Sequence, residues 1–254
     1  MTRDTLADAE YFTAKIAEEE TSIAGIRERI PEMIEKRGAR ASSGANAVVH
    51  LQLVIASMAY SRGDPMEDVT EIVNSALSDL EDLHEFYRLF PDRMRAGRGG
   101  YWTALPRLSF ATLFRLEPQV LDRVIYDVEF FNHTDPILQY MLAHLKGEPQ
   151  PTGMVEQDLD FPEQFRDLWR ILSLPQEAAQ TALKSYVETW YDRNLPLGGD
   201  GAPGVGSHEK MIAYRGYWVW EAAAAAVVAG VDDSGIRDHP YYPSDAADWA
   251  RERL

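Results

Sequence analysis

Between Trp220 and Val228 the chain reads Trp-Glu-Ala-Ala-Ala-Ala-Ala-Val-Val, and three more rings, Tyr214, Tyr217 and Trp218, precede it. Five consecutive alanines are a strong helix former with almost no side chain. A helix with methyl groups on every face lets its neighbours approach closely, so it belongs at the centre of a packed core. At helical spacing, Tyr214, Trp218, Ala222, Ala225 and Ala229 share one face. Tyr217, Glu221, Ala224 and Val228 share another. The pattern predicts one buried helix from the tyrosines through the alanines, with the rings filling its wider end. Glu221 inside such a helix needs an arginine or a buried hydroxyl, because an unpaired buried charge is costly. The acids that follow, Asp232 and Asp233, either cap the next turn with Ser234 or face outward as a binding surface.

The rest of the chain also reads as helix. A long polar helix is expected over Leu6–Lys36, kinked or broken at Pro31 and stopped at Gly38. A more apolar helix follows from a serine cap to Gly63, and then one begins at Asp64-Pro65 with a stripe from Val69 to Leu83. A shorter helix interrupted at Pro106 is next, then helices opening at Glu117-Pro118 and at Asp135-Pro136, the latter closing on Gly147. A proline-rich acidic loop separates these from two proline-opened helices, and a glycine-rich loop, Gly198–Gly206, precedes the alanine helix. No segment alternates with a period of two between turns, and no fixed repeat length recurs. The expectation is an all-α compact multi-helix bundle of about ten helices, in two packed halves, 1–116 and 117–254.

Several chemistries are excluded or weak. With no cysteine, disulfides, thiolate catalysis and cysteine-based zinc sites are out. Glu81-x-x-His84 has the spacing of a di-iron helix, but that architecture needs a second such motif, which is missing. His208-Glu209 lacks the second histidine of a zincin helix. The stretch GGDGAPGVG lacks the Lys-Ser/Thr of a P-loop, and no Gly-x-Ser-x-Gly occurs. No apolar run is long enough to span a membrane, and the first residues lack the apolar region of a signal peptide. The expectation is a cytoplasmic protein without a cofactor, without a metal and without catalysis.

Charge is the one bulk property that speaks of partners. The net charge is −16. Residues 1–116 carry 14 basic and 18 acidic side chains, and residues 117–254 carry 11 and 23. Such a surface repels nucleic acid and anionic membrane and attracts basic proteins. The loop acids Glu156, Asp158 and Asp160, together with Asp232 and Asp233, are placed to reach such a partner; the alternative is that they only solvate loops and cap helices.

The C-terminal block resembles the signature of the PoNe immunity proteins, PoNi. It carries Tyr214, Gly216, Tyr217 and Trp218, then Trp220, Glu221 and the alanines, then Asp232-Asp233-Ser234, and finally Tyr241-Tyr242-Pro243 and Asp245. Trp190-Tyr191 and the Asp8–Phe12 start are similar to other parts of that family. Trp220 stands where the family often has phenylalanine, and the glycine-rich loop is unusual. The resemblance divides the chain into a PoNi-type N-terminal helical region, 1–116, and a PoNi-type C-terminal one, 117–254. It implies an all-helical antitoxin that binds and neutralises a DNase toxin of the PD-(D/E)xK type, which secretion systems deliver between competing bacteria. Tyr214, Gly216, Tyr217, Trp218, Glu221, Tyr242 and Pro243 are then architectural. The toxin-contacting set is expected to be the five acids, and a homodimer is left open. Two other classes compete: a helical metal-dependent hydrolase using Glu81 and His84, and an acidic DNA mimic that binds basic proteins broadly.

Overall fold

The computed structural model describes residues 2–95, 100–194 and 214–252. The glycine-rich loop and His208-Glu209 lie outside the described residues. Twelve α-helices and no strand occur among the described residues. They form two compact units. The first comprises residues 1–103 and 116–132, and the second comprises residues 104–115 and 133–254.

In the first unit, helix α1 spans Ala9–Arg37. The Asp8 carboxylate accepts from the Tyr11 N–H at 2.9 Å and caps it, and Phe12, Ile16 and Ile23 form its buried edge. It stops at Gly38, whose φ of 54° suits a residue without a Cβ. Pro31 neither ends it nor breaks it; the helix runs through. Pro31 is exposed, and the helix packs against its partner along its length. That partner is α2, Ser42–Arg62, reached through a 3-10 turn at Gly38–Ala41. The serine cap expected for α2 is absent: Ala41 occupies the cap position, and Ser43 Oγ instead donates backward to the Arg40 carbonyl at 2.9 Å. Gly63, with φ 94°, ends α2 as expected.

The next helical stretch is two helices, α3 (Met66–Ser78) and α4 (Leu80–Leu89), rather than one. The break is at Asp79, whose carboxylate pairs with Arg27 and accepts from Gln52 Nε2 at 2.9 Å. Asp64 does not cap α3; its carboxylate is held by Arg62. Helix α5 is Pro91–Arg95. Helix α6, Tyr101–Leu113, passes through Pro106 without interruption and belongs to the second unit from Ala104 onward. Helix α7, Pro118–Phe130, returns to the first unit and packs on α3 and α4.

The second unit continues with α8 (Pro136–Lys146), α9 (Pro162–Ser173), α10 (Gln176–Asn194), α11 (Trp220–Val228) and α12 (Ser244–Arg251). Helix α11 contacts α8, α9, α10 and α12, so the alanine run is the hub of this unit. Ala222 through Ala226 are fully buried.

The proline inside α1 gives the first test. A proline in a helix interior costs ~3 kcal/mol, partly offset by the stiffness it lends the unfolded chain. Pro31→Ala is expected to raise stability by about 1–2 kcal/mol, read from the urea midpoint at unchanged slope.

Candidate functional site

The signature block is not one helix. Tyr214 to Val219 is non-helical, and α11 starts only at Trp220. Gly216 has φ 86°, a left-handed conformation that helical continuation forbids. The helical faces expected for Tyr214, Tyr217 and Trp218 therefore do not exist. Their rings nonetheless reach the core, because an open chain can wrap them around the start of α11. Tyr214 and Tyr217 stack edge to face at 4.8 Å, and Tyr217 meets Tyr191 at 5.4 Å and Tyr241 at 5.7 Å. The Val219 N–H donates to the Tyr241 carbonyl at 2.9 Å, which ties the segment to the chain before α12. Trp220 packs on Phe110 at 4.9 Å, and Trp218 lies 6.4 Å from Trp220.

Glu221 finds the partners its burial demands. The Tyr186 hydroxyl and the Trp190 indole N–H each donate to its Oε1 at 2.9 Å. The Arg193 charge acts on it as well. Burial nevertheless pushes its carboxyl above the ordinary value, outweighing these donors. Tyr186 and Trp190 stand on α10, so one acid fastens α10 to α11.

Asp233 is also committed inside the unit. It is only 4% exposed. Its Oδ2 accepts from the Tyr242 hydroxyl at 2.7 Å and from Arg251 at 2.8 Å, and its Oδ1 pairs with Arg237 at 3.2 Å. Burial alone would lift its carboxyl, but these hydrogen bonds and the arginine charges hold it below its ordinary value. Arg237 also pairs with Asp248, and Arg251 donates to the Val231 carbonyl at 3.2 Å. The signature residues Tyr242 and Pro243 thus anchor α12: one through its hydroxyl, the other as the residue immediately before the helix. Asp232, by contrast, is exposed and caps the turn, accepting from the Ser234 N–H at 2.9 Å. Of the neighbouring pair, one acid is structural and the other lies at the surface.

The acidic loop before α9 is ordered from beneath. Asp135, fully buried, caps α8 through the Ile137 N–H at 2.9 Å. Its other oxygen accepts from the Asp160 N–H at 2.9 Å. Leu159 is buried, and Asp158 accepts from the Val155 N–H at 3.3 Å. Glu156 is half-buried and paired with Arg166 at 2.7 Å and Arg170 at 3.5 Å. Val155, Gln157, Asp158 and Asp160 face solvent. The Asp135-Pro136 start gives the capping half of this role; the hold on the Asp160 N–H, 25 residues away, has no local signal.

Glu81 and His84 do not converge. Glu81 is exposed and bound by Arg88 at 3.0 Å and Arg123 at 3.3 Å, and chiefly the Arg88 hydrogen bond lowers its carboxyl below the ordinary value. His84 is buried beside the Tyr126 ring, with Nε2 3.9 Å from Asp127. Among the described residues no group of three His, Asp or Glu side chains is placed to hold a metal ion.

Models of the PoNe immunity proteins match almost the whole length, the N-terminal one over residues 3–126 and the C-terminal one over residues 133–246. The chain belongs to the PoNi family. It is an immunity protein, and its family implies a toxin partner. The structure is similar to the crystal structure of protein PA2201 from Pseudomonas aeruginosa, with a TM-score of 0.61 and 17% identity, over 99% of this chain and 91% of that one. At that identity the likeness shows the fold. No curated protein matches the sequence. No helix among the described residues is long and apolar enough to cross a membrane.

Two outcomes follow for the PoNi signature. Trp218→Ala is expected to cost roughly 3–5 kcal/mol, the usual penalty for truncating a buried aromatic, seen as a large fall in Tm. A variant that stays fully folded but no longer binds toxin would place Trp218 in the interface instead. Glu221, with its folded value raised, favours folding when protonated and costs stability as pH rises from about 4.3, the unfolded value, through the folded value. Glu221→Gln keeps an oxygen for Tyr186 and Trp190 and removes that cost. Its melting temperature at pH 7 should equal or exceed wild type, and it should lose the wild type's decline over that pH range.

Proposed function

We propose that this PoNi protein, without catalysis of its own and without a cofactor, neutralises a DNase toxin in the cytoplasm by covering its basic DNA-contacting face with an acidic surface. The DNase class rests on the resemblance of the signature block. The acidic surface rests on charge: a protein that binds DNA presents basic groups, and a protein of net −16 is drawn to them.

The observation that carries the reading is the loop before α9. Asp158 and Asp160 stand out from backbone that Asp135 and Leu159 hold in place. An interface built on preordered backbone loses little entropy on binding. Asp232 is exposed in the same way, whereas Asp233 and Glu156 already face arginines of their own unit. The contact set proposed from the five acids is therefore Asp158, Asp160 and Asp232, with Glu156 at its edge.

Division by compact units changes the weight given to the C-terminal half. The first unit holds 13 basic and 22 acidic side chains, and the second holds 12 and 19. Helix α7, with Glu117 before it and Asp122, Asp127 and Glu129 within it, packs in the first unit, and Arg107 and Arg115 belong to the second. Both units are acidic to a similar degree, so attraction to a basic toxin is a property of each.

The test is the variant Asp158→Lys, Asp160→Lys, Asp232→Lys, checked for folding and mixed with a nuclease-inactive form of the toxin that wild type captures, the product of the adjacent gene being the first candidate. Association at low salt should slow about tenfold or more, with a shallower dependence on salt. Unchanged association would put the contact elsewhere, first on the acids Glu18, Glu19 and Glu20 of α1. Tight binding of many unrelated basic proteins would favour the broad DNA-mimic reading over one cognate partner.

A further inference from the structure

An excess of acid should leave every arginine a carboxylate to hold. In the first unit Lys15, Arg27, Arg62, Arg88 and Arg123 each do. Arg29, Arg37 and Arg40 do not: all three are exposed, and among the described residues none forms an ion pair. They are not scattered. They gather where the end of α1 turns through Gly38 into α2. Arg29 and Arg37 edge a groove of about 410 Å³ whose wall is Ile26, Met33 and Ala47, and the Lys36–Glu32 ion pair closes its rim. Arg40 edges a second groove, of about 480 Å³, walled by Leu83, Tyr87 and Phe131. Ser43 lines both.

The same corner exposes large apolar side chains. Ile34 is 39% exposed and Leu89 is 55% exposed, two of the six such residues among those described. Leu89 adjoins Phe90, whose ring lies 3.8 Å from where a Cβ on Gly38 would stand. Three exposed guanidinium groups that hold no carboxylate among the described residues can each take one that arrives. Arginine beside exposed apolar residues is also the composition of an interface centre.

We propose that this corner is a second contact for the toxin, one that receives an acidic segment of it: carboxylates on Arg29, Arg37 and Arg40, and an apolar side chain in the groove against Ile26 and Met33. It rests on the proposed function. The general acidity of the protein would steer the toxin in, and the arginine corner would fix its register, since a surface of one sign attracts all basic proteins alike.

The two roles make opposite demands on one variant. Arg29→Glu, Arg37→Glu, Arg40→Glu makes an already acidic protein more acidic. If bulk charge alone governs binding, this variant associates faster and binds the toxin at least as tightly as wild type. If the corner is a contact, Kd rises by about 100-fold or more, through faster dissociation, while association is unchanged or quickened. Arg29→Gln, Arg37→Gln, Arg40→Gln should fall between the two. The side chains are exposed, so folding is expected to survive, and circular dichroism and Tm confirm it before binding is measured. The probe is the nuclease-inactive toxin used above, by surface plasmon resonance. A triple glutamate variant that binds as tightly as wild type overturns the inference while leaving the proposed function standing. A wild-type protein that does not bind this toxin overturns the proposed function, and the inference with it.

Discussion

The second unit depends on how closely helices can approach Ala222–Ala226. Four helices touch α11, and no side chain on that run is longer than a methyl group. Protein interiors are packed too densely to absorb even one added methylene freely. The large groups must therefore sit at the ends of α11, and they do. Trp220 meets Phe110 at one end, and the tyrosines of the open segment gather before it. Glu221 and Asp233 bracket the same helix, each hydrogen-bonded to a different neighbouring element. Burial of the Glu221 carboxylate outweighs what its partners contribute, whereas the partners of Asp233 outweigh its burial.

Signals that lie within a few residues of their effect were legible. Gly38, Gly63 and Gly147 end helices where expected, each with positive φ. Asp135 caps α8 as an Asp-Pro start implies. The half-buried position of Glu221 and its need for a hydroxyl were also visible, since an acid among alanines has few alternatives. The start of α11 was not, because rings at helical spacing serve an extended chain equally well. Gly216 was the available hint, and its weight becomes clear only beside its φ.

What depended on distant partners stayed hidden. Asp232 and Asp233 are neighbours of the same type, yet Tyr242 and Arg251 bury one and leave the other outside. Nothing local distinguishes them. The compact units divide the charge differently from a cut along the chain near residue 117, because α7 packs on α3 and α4, with the Tyr87–Asp127 hydrogen bond spanning 40 residues. Pro31 belongs here too: the packing of α1 on α2 carries the helix past it.

The Asp135 carboxylate has one oxygen on the backbone that opens α8 and the other on the backbone that closes the acidic loop. Both attachments are to main chain, so neither constrains the identity of the residue it holds. Side chains at 155 and 160 can be exchanged without disturbing the hook beneath them, while Asp158 also closes the turn on the Val155 N–H. In the proposed contact, such a scaffold separates the side chains that meet the partner from the groups that hold the backbone. A lineage facing an altered toxin could rewrite the tip of this loop in single steps while the fold that carries it stays the same.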